Sequence, residues 1–506
     1  MRHLYLISVF TLSLTMAYGQ QITDGLRYST EQNLGSARFT ALSGAMGALG
    51  GDMSATRINP AGGAVFLSSS LSVSASLLDV NNKATYFNQT ERSISDDVNM
   101  NQIGAIFVFN NPAEDSNFKK FTIGMNYDVS QSYDNELFIA GRGNTSIGQF
   151  FLAQAQGLPL SLLELQSGES ITSLYDYLGT HYGSAAQNAF LGYQGYLFDP
   201  LDPNDPSNST YLSNMAGNEF NQEYSYISRG YNSKFSINLA TQITNDYYFG
   251  VNINTHSLYF RRSNYLLETN NHPASTITGV GFENNLSVRG AGVSAQLGAI
   301  AKVADNFRLG LSWDSPTWYR ISEETSQYLE SKGIVGGQTR RTVVDPRVIN
   351  VFADYNLRTP GKIAASAAYV FKQKGFISFD YSFKDYSNIQ FEPTNDLYFR
   401  SLNQDINNTL TGASSFRAGG EYRIEELSLR AGFHYEDSPY KDNRTLGDLV
   451  GFSLGTGYNL GNMTFDLAYS RSEQKREMQL YSVGLTDVAN VNTIYSNFIV
   501  SLGFVF

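Results

Sequence analysis

The chain ends on SNFIVSLGFVF with no turn, cap or tail behind it. Read with a period of two, Phe498, Val500, Leu502, Phe504 and Phe506 share one face, and Asn497, Ile499, Ser501, Gly503 and Val505 share the other. This is a strand with one greasy side. A soluble sheet blunts such an edge with charge, Pro or a covering element, and otherwise risks edge-to-edge aggregation. Closing the sheet into a barrel in lipid removes the edge altogether.

The same alternation recurs upstream. Met463, Phe465, Leu467 and Tyr469 oppose Thr464, Asp466, Ala468 and Ser470, and Ile377, Phe379, Tyr381 and Phe383 oppose Ser378, Asp380, Ser382 and Lys384. Phe416, Ala418, Gly420, Tyr422 and Ile424 oppose Arg417, Gly419, Glu421 and Arg423. One face for lipid and one for a polar lumen is the dyad pattern of transmembrane barrel strands.

Composition agrees. Aromatic residues make up 13% of the chain and charged residues only 16%, against about 25% charged in soluble domains. Past the N-terminus no unbroken apolar run reaches the roughly 18 residues a spanning helix needs, so any crossing is made by strands. A net charge of -11 offers no basic footprint, and no nucleic-acid partner is expected. Cysteine is absent, which excludes disulfides and thiolate chemistry. The first residues look like a secretory signal: Arg2 and His3, an apolar core from Leu4 to Met16, then Ala17-Tyr18-Gly19 as a cleavage site before Gln20. A signal peptide is therefore expected over 1–19.

Connection lengths sharpen the reading. Working back from Phe506, strands near 495–506, 462–472, 449–459, 426–437, 414–424, 375–388 and 361–372 are joined alternately by tight turns (at Leu460, Ile424 and Lys372) and by long polar segments. Short turns on the periplasmic side and long loops outside are the barrel habit. Upstream runs such as NFRLGLSWD, YFGVNINTHSLYF, SKFSINLATQI and SLSVSASLL bring the total to about fourteen strands. Large extracellular loops are expected near 134–222, with a helix-like QFFLAQAQGLPLSLLELQ, and near 319–360. The stretch from Gln20 to Val65 is Gly- and Ala-rich without alternation, so something compact precedes the wall, which runs over 66–506.

These residues resemble the FadL/TodX family of outer-membrane transporters of hydrophobic compounds, in its Bacteroidota form. The match runs from Gly47–Asp52, Ser54, Ala55 and Asn59-Pro60-Ala61-Gly62, through RLGLSWDSP at Arg308–Pro316 and PGKIAASAAYVFKQKGFISFDYSFKDYSNI, to FRAGGEYRIEELSLRAGFHYEDSP and GFSLGTGYNLGNMTFDLAYSR. The resemblance implies an all-β antiparallel transmembrane barrel of about 14 strands in the outer membrane, with residues 20–65 folded into the lumen as a hatch. It implies passive, hatch-gated uptake of hydrophobic small molecules, long-chain fatty acids foremost, through a dry apolar pocket. It makes Asn59, Pro60 and Ala61 the hatch motif. The family's inward kink of the third strand, where its wall opens sideways, maps to Val129, Ser130, Gln131, Ser132 and Tyr133, which lack the glycine usual there. Outer-membrane lipid and the barrel-assembly machinery, through the strand ending at Phe506, are the implied partners. The rival expectation is a barrel that transports nothing and whose long loops bind exported proteins.

Lumen-side Lys384, Arg417 and Arg430 are candidates to engage a ligand carboxylate, or else to pair with Asp380, Glu421 and Asp466 across neighbouring strands. GAMGALG at Gly44 lacks the Lys and strand-to-helix context of a phosphate loop. Asp199, Asp202 and Asp205 lack the Gly and terminal Glu of a calcium loop. His434 near Glu436 and Asp437 has no Ser in a nucleophile context. No enzyme activity, metal or cofactor is expected.

Overall fold

The computed structural model describes residues 20–113, 115–335 and 337–506. The signal peptide expected over 1–19 lies outside them. Among the described residues fourteen antiparallel wall strands form a closed barrel. The first seven are Ser70–Tyr86, Gln89–Asn110, Phe118–Ser132, Phe220–Ile243, Tyr247–Thr269, Ile277–Ala304, and Phe307–Asp314 continued by Trp318–Val335. The eighth is Tyr355–Arg358 with Lys362–Val370, and the rest are Gly375–Asp385, Gly412–Ile424, Leu427–Glu436, Leu449–Asn459, Met463–Gln479 and Val488–Val505.

The terminal run that raised the aggregation hazard is the closing seam. The last strand pairs with the first from Ser70↔Val505 to Thr85↔Asn490, and the Phe506 amide donates to the Ser69 carbonyl at 3.0 Å. Among the described residues this pairing joins the last strand to the first along the whole seam. Phe498, Val500 and Phe504 face outward and are exposed, while Asn497, Ile499 and Ser501 face inward and are buried. The outward stripe of Leu309, Leu311 and Trp313 on the seventh strand follows the same rule.

Residues 20–66 lie in the lumen: the part from about Leu34 onward fills the end of the barrel where the turns are short, and Leu26 and Tyr28 reach up to pack with Phe399, Leu402 and Ile406 at the other end. Their elements are small: helices Ile22–Arg27 and Ala37–Ala41 and 3-10 turns Ser54–Arg57 and Pro60–Val65. Helices of this length do not persist alone, so contact with the wall holds them. Ala37 and Ala41 lie on Ala468 and Ile499. Phe39, Leu42 and Met46 share a cluster with Ala368 and Phe376, and Ala61 and Ala64 one with Ala240, Tyr248 and Ile300. The Gly/Ala richness of the segment is thus a packing requirement, because small side chains let its backbone lie close against the wall.

The opposite end is roofed by helices Gly148–Ala155, Ile171–Gln194 and Leu397–Thr409. The helix expected in 149–166 stops at Ala155 and gives way to a short turn at Leu160–Leu162. The longer helix that follows was hidden by its own glycines, and Gly183 kinks it with φ +87°. The segment 319–360, expected as a loop, is largely strand. Trp318–Val335 pairs with the sixth strand from Trp318↔Val293 onward. It rises far above its periplasmic turn, where outward positions such as Arg320, Ser322 and Glu324 are polar while Tyr319, Ile321 and Leu329 are buried inward, so the outward apolar stripe that marks a barrel strand in sequence is missing.

Candidate transport path

The hatch is fastened to the wall by side-chain amides. Asn59 caps the turn Pro60–Val65, its Oδ1 accepting from the Ala61 amide at 3.1 Å. Its Nδ2 donates to Gly47 O within the hatch at 2.8 Å and to Ala299 O of the sixth strand at 3.0 Å. Pro60 O accepts from Asn238 Nδ2 at 2.9 Å. Thr56 O and Arg57 O accept from Asn252 and Gln296, each at 2.9 Å. Asn238, Asn252 and Gln296 sit on three successive strands and bond to one another, 2.7 Å from Asn238 to Asn252 and 2.9 Å from Asn252 to Gln296. The close fit requires glycine at 298, where a Cβ would stand 2.0 Å from Asn59 Oδ1.

Elsewhere around the lumen the Gly47 amide donates to Asp380 at 2.9 Å and the Ala37 amide to Ser501 at 2.7 Å. Arg38 pairs with Glu421 at 3.0 Å, and Glu31 with Lys362 at 3.3 Å. The ammonium of Lys362, more than any other charge, holds the Glu31 carboxyl well below the usual carboxylate range.

The pairing of the third strand is interrupted between Val129 and Asp134. Its pairing with the second strand ends at Gln102↔Asp128. Its pairing with the fourth slips between Val129 and Gln131, and Tyr133 and Asp134 interrupt it before Asn135–Gly143 resumes beside the fourth strand. No ladder joins that resumed piece to the second strand among the described residues. Asn82 Nδ2, from the first strand, instead donates to Asn135 Oδ1 at 2.6 Å and to Glu136 O at 2.7 Å. A stretch of wall between Gln89–Asn101 and Val129–Gly143 is therefore without backbone pairing. The flexible residue sits across the ladder rather than in the kink: Tyr133 N donates to the carbonyl of Gly230 at 2.8 Å, and Gly230 has φ +129°. The hatch grips the break through Gln32, whose amide donates to Ser130 O at 2.8 Å and whose Oε1 accepts from the Ser132 amide at 3.0 Å.

Between hatch and roof lies a cavity of about 990 Å³. Leu26 and Leu34 of the hatch, Phe150 of the roof and Gln131 of the break all line it. It is not the dry apolar pocket expected. Asn264, Asn284, Asn285, Gln327 and several tyrosines contribute to its lining, because inward positions of a lumen-facing strand carry the polar half of the alternation.

The lumen cations proposed from sequence are engaged by the protein. Arg430 pairs with Glu421 at 2.7 Å and also with Asp466. Arg417 meets Glu436 at 2.9 Å rather than Asp380, and Lys384 donates to the Ser29 carbonyl of the hatch. His434 Nδ1 lies 3.2 Å from Ser43 Oγ of the hatch. Asp202 and Asp205 cap turns of their own loop. Absent from the sequence reading were Gln32, Gly230, Asn238, Asn252 and Gln296. The one available signal was the run of Asn and Gln at inward positions of three adjacent strands.

No curated protein matches the chain. Among solved structures it is similar to a Pseudomonas aeruginosa FadL homologue, with a TM-score of 0.54 at 12% identity over 94% of this chain and 100% of that one. It is also similar to the P. putida toluene transporter TodX, with a TM-score of 0.51 at 13% identity over 94% and 99%. At such identities the likeness is one of fold. The family profile described as outer membrane protein transport protein (OMPP1/FadL/TodX) matches residues 208–493, more than half of the chain, and the chain belongs to that family of outer-membrane transport proteins.

Proposed function

We propose that this barrel takes up hydrophobic small molecules, long-chain fatty acids among them, and releases them sideways through the unpaired stretch of wall beside the third-strand break. The observation that carries this reading is the pairing of Gln32 with Ser130 and Ser132. One hatch residue holds both the break and the floor of the cavity that Gln131 lines, so a shift of the hatch and a widening of the wall are mechanically one event. A ligand arrives under the roof and loses water at roughly 0.8 kcal/mol per buried methylene. It then meets a floor held by hydrogen bonds that can be exchanged, and leaves into the bilayer rather than the periplasm. Asn59, Pro60 and Ala61 are the fixed side of this movement, being bonded to the fourth and sixth strands. In assembly, the last strand with Phe506 is the segment offered to the barrel-assembly machinery, and the outward apolar stripe then meets outer-membrane lipid.

The test is uptake of labelled oleate by cells lacking their own fatty-acid porter. The chain at matched surface level should raise uptake above background. Substitution of both Asn59 and Pro60 by Ala should lower it. No uptake by the folded wild-type barrel would remove fatty acids from the substrate range.

A further inference from the structure

The outward face of the barrel carries a row of arginines. Arg229, Arg261, Arg289, Arg320 and Arg358 stand on the fourth to eighth strands in turn, one on each. Arg261 is directly opposite Arg229. Arg289 is opposite Tyr259, Arg320 opposite Ala291 and Arg358 opposite Trp318, so each of these lies two residues off its predecessor in the same direction. Where strands tilt, such a diagonal keeps a nearly constant height on the wall. Along the chain the five are twelve to fifteen residues from the short-turn ends of their strands at Ile243, Tyr247, Ala304, Phe307 and Val370. About 9–11 residues of a tilted strand cross the hydrocarbon, so the row stands just beyond it on the long-loop side.

An aromatic collar underlies the row. Tyr231, Tyr259 and Trp318 sit two residues nearer the short turns than Arg229, Arg261 and Arg320. Tyr231 and Trp318 are exposed, and the Arg261 guanidinium lies 5.2 Å from the centre of the Tyr259 ring. Aromatic residues at this level mark the boundary between acyl chains and head groups. The arginines are not equally engaged. Arg229 is committed to Glu136 and Asp134 beside the third-strand break, and Arg320 to Asp354. Arg261 and Arg289 are exposed and Arg358 half-buried, and among the described residues these three form no ion pair. Glu324, outward on the seventh strand, stands opposite Ser287 while Arg289 stands opposite Ser322, and the two do not pair. Like charges on adjacent strands repel, so this row is stable where an anion from outside lies along it.

We propose that this face of the barrel binds a phosphorylated glycolipid of the outer leaflet, with Arg261, Arg289 and Arg358 on its phosphates and its acyl chains running down over Tyr259, Trp318 and the apolar wall beneath. Guanidinium forks match phosphate oxygens. In a leaflet of like-charged head groups a fixed row of cations lowers the repulsion between them. The collar and the apolar band directly below the row give acyl chains a surface that free phosphate would not use.

The experiment measures binding of diphosphorylated lipid A, and of the same lipid stripped of its phosphates, to the purified full-length barrel in a neutral detergent. The proteins are the wild type and a triple variant Arg261→Gln, Arg289→Gln, Arg358→Gln, and inorganic phosphate is the competitor. The wild type should bind the phosphorylated lipid roughly 10-fold or more tighter than the stripped one, as charged hydrogen bonds do, and inorganic phosphate equimolar with the lipid should not displace it. The triple variant should bind both lipids at the level of the stripped one, and its heat-modifiable migration on gels should match the wild type, which shows that it is folded. If the triple variant does not fold, Arg289→Gln alone, at the centre of the row, should still lose part of the preference. Equal affinity of the wild type for the two lipids overturns the proposal, as does a preference that survives substitution. Displacement of the lipid by equimolar phosphate shows a site for free anions and overturns it as well.

Discussion

Asn59 of the hatch donates to the wall carbonyl of Ala299 at 3.0 Å while holding the hatch carbonyl of Gly47 at 2.8 Å. One amide thus joins the fold of the hatch to its anchorage, so the two cannot be weakened separately. Asn59→Ala leaves two buried carbonyls short of a donor, at about 1–3 kcal/mol. The expected outcome is faster hydrogen exchange across residues 45–62 with wall strands unchanged. Exchange unchanged in the hatch would mean that Asn59 does not anchor it.

Gly298 tests the same contact from the other side. A Cβ there would stand 2.0 Å from Asn59 Oδ1, and the amide cannot yield without losing its bonds. Gly298→Val should give a barrel that still shows heat-modifiable migration on gels but whose hatch is open to added protease. A hatch as protected as the wild type would show that the wall accommodates the larger residue.

The ion pair between Glu31 and Lys362 has a definite pH dependence. The Glu31 carboxyl is held below its unfolded value of about 4.3. A depressed carboxylate contributes stability that is complete above the unfolded pKa and is lost as pH falls through the folded one. Hatch retention should therefore be flat from about pH 5 upward and weaken only in stronger acid, whereas Glu31→Gln should show the weakened state already at pH 7. Proteolysis of the hatch at a series of pH values distinguishes the two.

Arg430 is a structural cation on this account. With Glu421 and Asp466 as partners, Arg430→Met leaves Asp466 without its cation while Glu421 keeps Arg38 and Arg423, so the loss should fall below the about 3–5 kcal/mol typical of a fully broken buried pair. Thermal unfolding of the barrel should drop clearly, while the selectivity among anionic and neutral ligands stays as in the wild type. A change in selectivity without a change in stability would return Arg430 to the ligand path.

Much of this architecture was legible in the chain. The pattern at Phe498–Phe506 marked a strand that must pair on both sides, and the asymmetry of its connections placed the turns. The upper barrel was harder to see. Gln89–Asn101 and Trp318–Val335 rise above the lipid band, where outward residues need not be apolar, so their alternation carries little contrast. Asn59-Pro60-Ala61 stood out in the sequence, but the wall residues that hold this part of the lumen segment, Asn238, Asn252 and Gln296, are far apart in sequence and ordinary in type. The interruption near Val129–Tyr133 carries no glycine of its own, because the positive φ beside it is borne by Gly230, on the neighbouring strand. Lys384, Arg417 and Arg430 were conspicuous as charges, yet what matters for a ligand is which charges lack partners, and pairing is a property of the folded lumen.

The central claim is that hatch and third-strand break move together to let the ligand out. The chain has no cysteine, so a double variant Gln32→Cys, Ser132→Cys can be bridged in cells by a short reducible thiol cross-linker without background. Uptake of labelled oleate should fall to background when the bridge forms and return when it is reduced, with each single variant unaffected by the reagent. Full uptake through a bridged barrel would contradict the account.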